Sequence, residues 1–385
     1  MIIGVPKESY PGERRVALVP TIIPLLTKAS LEILIEPSAG KSAGFPDHAY
    51  VEKGARIASS REQLFSDVDI LLQVRSPGAA GDAGRADLET LRADHTIIGF
   101  SEPLGEPKTA EIVAAKGIRS FSMELIPRIT RAQSMDALSS MATIAGYKAV
   151  LLAAETLPRM FPMMMTAAGT ITPARVFVVG AGVAGLQAIA SARRLGARVE
   201  AYDVRPAVQE QVESLGASFV ELPLDTSESE DAGGYAKEQD ESFLERQREM
   251  MTRVVANSDV VITTALIPGK TAPVLVTKDM VAGMKPGAVV VDLAAERGGN
   301  CEVTRADEVV VSNDVTILGP SNLPATVPYH ASQMYAKNIS TLLLHLIKDS
   351  TLLLDLDEEI TAGTLVSHNG EVIHPRVKAL LESAS

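Results

Sequence analysis

Two Rossmann-like α/β domains are what this sequence predicts. The second is a doubly wound parallel sheet inserted into a discontinuous first. Three observations carry the prediction. A short apolar strand at 176–179 runs directly into Gly180, Gly182 and Gly185. Strand-like and helix-like stretches alternate on both sides of that turn. The residues beyond about 328 are too few to form a domain alone. The expected boundaries are 1–145 with 328–385 for the N-terminal domain and 146–327 for the inserted one. A length of 385 residues suits two domains of roughly 100–200 residues each.

In the first domain, 2–5, 31–35, 70–74, 96–100 and 118–122 read as buried strands, with polar or amphipathic helical stretches between them. The opening residues read as a strand ending in a polar turn, not as a signal peptide. The nearest approach to a membrane span is 135–153. It carries Asp136 and Lys148, so the expectation is a helix buried at a domain or subunit interface. Met163-Met164-Met165 reads as core or interface packing.

The inserted domain starts with the glycine turn. Its strand, turn, helix and second strand at 199–202, ending on Asp203, form a dinucleotide-binding fingerprint in full context. Gly180 allows the tight turn, Gly182 lets backbone approach a pyrophosphate, and Gly185 lets helix pack on strand. The anion would sit on the helix N-terminus, where unpaired N–H groups point outward. Asp203 would accept from the ribose hydroxyls and favour NAD(H) over NADP(H), although Arg205 two residues on could blunt that preference. Val183, Val204 and Arg205 flank these positions and join the candidate contacts. The bland alternative is a nucleotide-free Rossmann-like domain.

Further strands are expected at 218–222, 260–264, 288–292 and 316–318, making six in all. The two Val-rich ones look buried on both faces, as in a parallel sheet. Thr264, Ala265 and Leu266 follow the 260–264 strand at its carboxyl end, where they suit the adenosine half of a dinucleotide. The alternative is an ordinary strand-to-helix loop. Residues 225–241 are acidic around Gly233-Gly234-Tyr235. They read either as a solvated loop or as a lid hinged on the glycines that closes Tyr235 over a ligand. Helices follow at 243–255 and 331–347, and the tail should return to the first domain. The expected ligand site is the cleft between the domains, facing the carboxyl ends of the Rossmann strands.

The polar stretch 127–136 precedes the apolar helix. Ser134 is a plausible N-cap with Met135 opening the helix, which puts Asp136 in the first turn, favoured by the dipole. The functional alternative is that Arg128, Gln133 and Asp136 converge on a polar ligand.

Composition excludes several classes. With 48 acidic against 36 basic side chains the net charge is −12, which argues against nucleic acid as a partner. Cys301 is the single cysteine, so neither an intrachain disulfide nor a cysteine metal cluster is possible. The six histidines show no metal-ligand spacing, and no metal is expected. None stands where a dehydrogenase would need its general acid or base. Hydride transfer between two nicotinamide rings would need none.

Residues 127–136, 161–170, 233–238 and 263–270 together resemble the NAD(H)-binding component of proton-translocating nicotinamide nucleotide transhydrogenases. The resemblance spans essentially the whole chain. No membrane segment follows, so the expectation is the three-polypeptide form of the enzyme, in which the alpha subunit is split and its first piece is a separate soluble subunit. The resemblance implies flavin-independent hydride transfer between NAD(H) on this chain and NADP(H) on a partner subunit, coupled to proton movement by a membrane-spanning component. It also implies a homodimer, peripheral on the cytoplasmic face of the membrane through its partners. The apolar stretch 135–152 and the apolar face of 331–347 would supply the dimer surface. The nicotinamide-side cluster falls on Arg128, Gln133, Asp136 and Ser139, the mobile-loop tyrosine on Tyr235, and the ribose-binding acid on Asp203. Arg128, Gln133 and Asp136 are the catalytic candidates.

The wider family includes alanine dehydrogenase, the main rival, in which a lysine and a histidine of the first domain handle substrate. Those positions hold Arg75 and Phe100 here, and His95 lies several residues away. A third reading is an NADH-binding module without turnover, which leaves the 128–136 block unexplained.

Overall fold

A computed structural model describes residues 1–221, 241–266 and 269–383. The chain divides into two compact units, Met1–Met141 with Pro324–Ser385, and Ala142–Leu323. Each is an α/β unit built on a sheet dominated by parallel pairs.

In the first unit the eight-stranded sheet runs Glu371–Val372, Leu365–His368, Arg119–Ser122, Thr96–Phe100, Ile70–Arg75, Ile2–Val5, Glu32–Ile35, Arg56–Ile57. The six strands from Ile2 to Ser122 pair in parallel, in the order of a doubly wound sheet. The last two strands come from the C-terminal segment and pair antiparallel. Their hairpin turns at Asn369-Gly370, both at positive φ, a pair suited to a two-residue turn whose twist matches the strands. The helix Pro328–Leu346 spends its apolar face inside this unit, where Tyr335, Ile339, Leu342, Leu343 and Leu346 are fully buried. That face is therefore not a dimer surface, contrary to expectation. Side chains three residues apart on it reach three separate segments. Ser332 Oγ accepts from Val16 N at 3.0 Å, Tyr335 Oη donates to Gln73 O at 2.7 Å, and Asn338 Nδ2 donates to Ser134 O at 2.9 Å.

The second unit carries a seven-stranded sheet in the order Ser218–Phe219, Arg198–Tyr202, Arg175–Val179, Val260–Thr263, Val289–Asp292, Val315–Leu318, Val309–Ser312. All pairs are parallel except the last. Val176, Val178, Ile262 and Val291 face one core, and Phe177, Val179, Val261 and Val290 the other. Central strands covered on both faces need apolar residues at consecutive positions, which is why these runs do not alternate. The edge strand Val309–Ser312 was not anticipated. It is joined to Val315–Leu318 through Asn313 and Asp314, both at positive φ. Helix Ala137–Thr156 is long and apolar enough to cross a membrane. Gly146 on it packs so closely that a Cβ would lie 2.1 Å from Ala184 O, the close approach of a helix packed inside a protein.

At the sheet centre of the first unit, Ile2–Val5 lies between Glu32–Ile35 and Ile70–Arg75, so the chain winds both ways from it. The space beyond those strand ends is filled by the unit's own acids. The carboxylate oxygens of Glu8 accept from Val74 N at 2.6 Å and Arg75 N at 3.0 Å. Glu13 pairs with buried Arg15 at 2.6 Å and with Arg75 at 3.3 Å. Burial, reinforced by Glu13, pushes the Glu8 carboxyl up to about 8. Burial, with Glu102 beside it, pushes Glu124 up to about 7. Unfolding lets both ionise in the ordinary carboxylate range. Between that range and pH 7–8 the unfolded chain holds fewer protons than the folded one, so stability falls as pH rises through that window. The thermal midpoint is expected to drop from pH 5 to pH 8, and Glu8→Gln and Glu124→Gln each to make the drop shallower. An unchanged slope in both variants would contradict the assignment.

Candidate dinucleotide-binding site

The site is built where the second unit's sheet reverses its winding. Arg175–Val179 lies between Arg198–Tyr202 and Val260–Thr263, and ligands of such sheets bind beyond the carboxyl ends at that point. Gly180 leaves the first strand at φ +95° and donates to Tyr202 O at 2.8 Å. Helix Val183–Arg194 then starts with Gly182 as N-cap and no side-chain cap.

The three glycines have different reasons to be glycine. A Cβ on Gly185 would sit 1.8 Å from Gly180 O, so the fold itself forbids a side chain there. Gly180 needs its positive φ. Gly182 has φ −74° and ψ −170°, which any residue adopts, and a Cβ there would meet nothing within 4 Å. Nothing inside the chain demands glycine at 182. The demand comes from a group that approaches the backbone from outside, beside a helix N-terminus suited to an anion. A pyrophosphate fits this cradle.

Asp203 is bonded on both oxygens. Oδ2 accepts from Ala181 N at 2.8 Å, bracing the glycine turn, and Oδ1 from Arg205 N at 2.9 Å. The Arg205 guanidinium adds bonds of 2.9 Å to each oxygen. Asp203 thus carries a balanced charge, and discrimination against a 2′-phosphate cannot rest on bare repulsion. Thr264 Oγ1 donates to Gly180 O at 3.0 Å, joining the two strand ends. Val183 and Leu266 are exposed, and Val204 is partly so. Gly234 and Tyr235 lie outside the described residues.

In the first unit, Arg128 lies just before the short 3-10 segment Thr130–Met135, which contains Gln133. Ala132 and Met135 anchor that segment, while Arg128 and Gln133 are exposed. Helix Ala137–Thr156 begins later than expected, and Ser134 is not its cap. Asp136 is: Oδ1 accepts from Ser139 N at 2.9 Å and Oδ2 from Ser139 Oγ at 2.5 Å. Asp136 and Ser139 therefore form one bonded pair at the helix start. No group of histidine, cysteine, aspartate or glutamate among the described residues could hold a metal ion.

With this geometry in hand, the comparisons decide the family. The model described as alanine dehydrogenase/PNT, N-terminal domain, matches residues 4–145, and that described as alanine dehydrogenase/PNT, C-terminal domain, matches residues 149–375. The chain belongs to the alanine dehydrogenase/PNT family. Within the family it is similar to the first of the two pieces of the split NAD(P) transhydrogenase subunit alpha of Rhodospirillum rubrum, 45% identical across 97% of this chain and 98% of that one. NAD(P) transhydrogenase subunit alpha of Cereibacter sphaeroides is 44% identical, covering 97% of this chain and 71% of the relative. The crystal structure of transhydrogenase from Sinorhizobium meliloti superposes with a TM-score of 0.84 at 41% identity, covering 97% of this chain and 99% of that one. The chain is thus an oxidoreductase subunit of the transhydrogenase kind, on the fold of its family.

Two residues of this family member escaped the sequence reading. Asp292 accepts from Thr263 Oγ1 and Ala294 N on one oxygen and from Cys301 N and Thr304 Oγ1 on the other. Asn300 binds Ala265 and Pro273. Gly298-Gly299, both at positive φ, was the available signal of a tightly turned segment there.

The glycine assignments predict opposite failures. Gly182→Ala is expected to leave the melting midpoint unchanged and to weaken NADH binding by more than about tenfold, ~1.4 kcal/mol. Gly185→Ala is expected to lower the midpoint. NADH fluorescence serves as the readout, since the chain has no tryptophan. Unchanged NADH affinity in Gly182→Ala would remove the pyrophosphate from the turn.

Proposed function

We propose that this chain is the NAD(H)-binding subunit of a proton-translocating transhydrogenase. Bound here, NAD(H) supplies a nicotinamide ring that gives hydride to, or takes it from, NADP(H) held by a partner subunit. The observation that carries the reading is the glycine turn, whose one unforced glycine stands where a dinucleotide's pyrophosphate would lie. The full-length similarity to transhydrogenase alpha subunits supports the reaction class.

In this reading Gly180, Gly182, Val183 and Gly185 hold the pyrophosphate. Asp203, Val204 and Arg205 hold the adenine ribose, and Thr264, Ala265 and Leu266 the rest of the adenosine. Asp203 is expected to favour NADH over NADPH. Gly234 and Tyr235 close over the nucleotide. Arg128, Gln133, Asp136 and Ser139 orient the dihydronicotinamide, with Arg128, Gln133 and Asp136 in the catalytic role. Their work is positioning, worth ~7–11 kcal/mol of barrier in favourable cases, and no proton is exchanged at the reacting carbons. A membrane-spanning component couples the transfer to proton translocation, which places the chain at the inner face of the cytoplasmic membrane through its partners.

The alanine-oxidising rival loses support in the first unit. Arg75 is paired with Glu13 and its guanidinium lies 4.2 Å from the ring centre of Tyr10. Phe100 packs on Tyr335 with ring centres 5.2 Å apart. His95 is fully buried, and burial pushes its pKa down. None of the three offers an acid or base to a substrate.

A homodimer gains support from a different place than expected. The hairpin Met164–Thr166 and Gly169–Ile171 leaves Met163 61% and Met165 80% exposed. Large apolar side chains so exposed suit a subunit contact. Sedimentation equilibrium at micromolar protein is expected to give a dimer, and Met163→Ser with Met165→Ser a shift toward monomer. A monomer in the unaltered protein would refute this.

The reaction is tested by mixing the chain with an NADP(H)-binding component and following reduction of an NAD analogue by NADPH. Asp136→Asn keeps a good helix cap, so it separates capping from chemistry. Asp136→Asn and Gln133→Asn are each expected to slow transfer at least about 100-fold while NADH affinity stays within about threefold. Full activity in the double variant would remove the cluster from the mechanism. Alanine-dependent NADH production by the chain alone would replace the proposal with its rival.

A further inference from the structure

Asn300 is fully buried and sits at the carboxyl-end rim of the second unit's sheet. Its Oδ1 accepts from Ala265 N at 2.9 Å, and its Nδ2 donates to Ala265 O at 2.9 Å and Pro273 O at 2.8 Å. One N–H and two carbonyls as partners fix the orientation of the amide. The residue itself is held on all sides. Its carbonyl accepts from Leu275 N and Val276 N. Gly298 and Gly299 precede it at φ +95° and +84°. Cys301 N donates to Asp292, whose other oxygen accepts from Thr263. A rigid frame thus ends in one carboxamide, and both polar groups of a single peptide residue, Ala265, are bound to it.

Thr264 is likewise spent internally, its N–H on Val179 O and its hydroxyl on Val179 O and Gly180 O. The surface that 264–266 offers outward is therefore apolar, with Leu266 exposed. Such a surface suits the flat face of a purine, whose contact there needs no hydrogen bond.

We propose that Asn300 is a positioning residue of the nucleotide site: it locks the Ala265 peptide so that 264–266 presents an apolar face to the adenosine half of the dinucleotide. Resting on the NAD(H)-binding reading, the assignment adds a residue that never touches the ligand. Its removal frees the Ala265 N–H and carbonyl to turn outward and spoils the face. Asn300→Asp keeps the shape and the bond from Ala265 N but loses both donations, and so tests the lock without a cavity.

The experiment titrates NADH by its fluorescence, and AMP by competition, into the full chain and into Asn300→Ala and Asn300→Asp, well below their melting midpoints. Both ligands are expected to bind about tenfold more weakly in both variants, because the shared adenosine contact is lost. A merely structural asparagine would lower the midpoint and leave AMP affinity of the folded protein intact. NADH affinity within twofold of the unaltered chain in a folded variant, or weakened NADH with unchanged AMP, overturns the assignment. Should Asn300→Ala fail to fold, Asn300→Asp decides alone. Failure of the unaltered chain to bind NADH would instead overturn the function on which the assignment rests.

Discussion

One carbonyl oxygen, that of Gly180, is where the nucleotide site of the second unit is assembled. The glycine turn carries it at the end of the first strand. Gly185 of the following helix presses on it so closely that no side chain is possible. Thr264, from the end of the neighbouring strand, donates to it. Two strand ends and a helix N-terminus are thereby fixed within a few ångströms of each other. Any dinucleotide held there meets a preorganised surface, which lowers the ordering cost of binding.

The two units share a winding order but use their switch points differently. In the first, Glu8 sits on the amides of Val74 and Arg75, and Glu13 on Arg15 and Arg75. That crevice is satisfied from within, at the cost of carboxyls held protonated toward neutral pH. In the second, Gly182 leaves open space. The same topology therefore yields a stabilising plug in one unit and a vacant cradle in the other, because function follows the residues at the strand ends and not the fold.

What the sequence disclosed follows the range of the physics involved. The glycine turn, both sheets' central strands and Asp203 were legible because turn conformation and two-faced burial are written in a few consecutive residues. The strand Val309–Ser312 was missed although Asn313-Asp314 is a turn signal, and the strands after Leu365 although Asn369-Gly370 is a stronger one. Both are short edge pieces with weak apolar content. Asp136 was placed one turn too deep because Ser134 is also a good cap, and only the bonds to Ser139 separate the two. The face of Pro328–Leu346 gave no hint of whether it meets its own unit or another copy. Asn300 and Asp292 act across 35 and 29 residues of chain on Ala265 and Thr263, and no local pattern announces such bonds.

The central claim is that hydride passes directly between two nicotinamides, one of them bound here, with no proton of solvent taking part. Isotope transfer tests it most directly. The chain is combined with an NADP(H)-binding component, NADPH deuterated at the transferred position of C4, and NAD⁺ in ordinary water, and the NADH formed is weighed by mass spectrometry. The account predicts that the deuterium appears quantitatively in NADH. Unlabelled NADH, with the label lost to water, would contradict it.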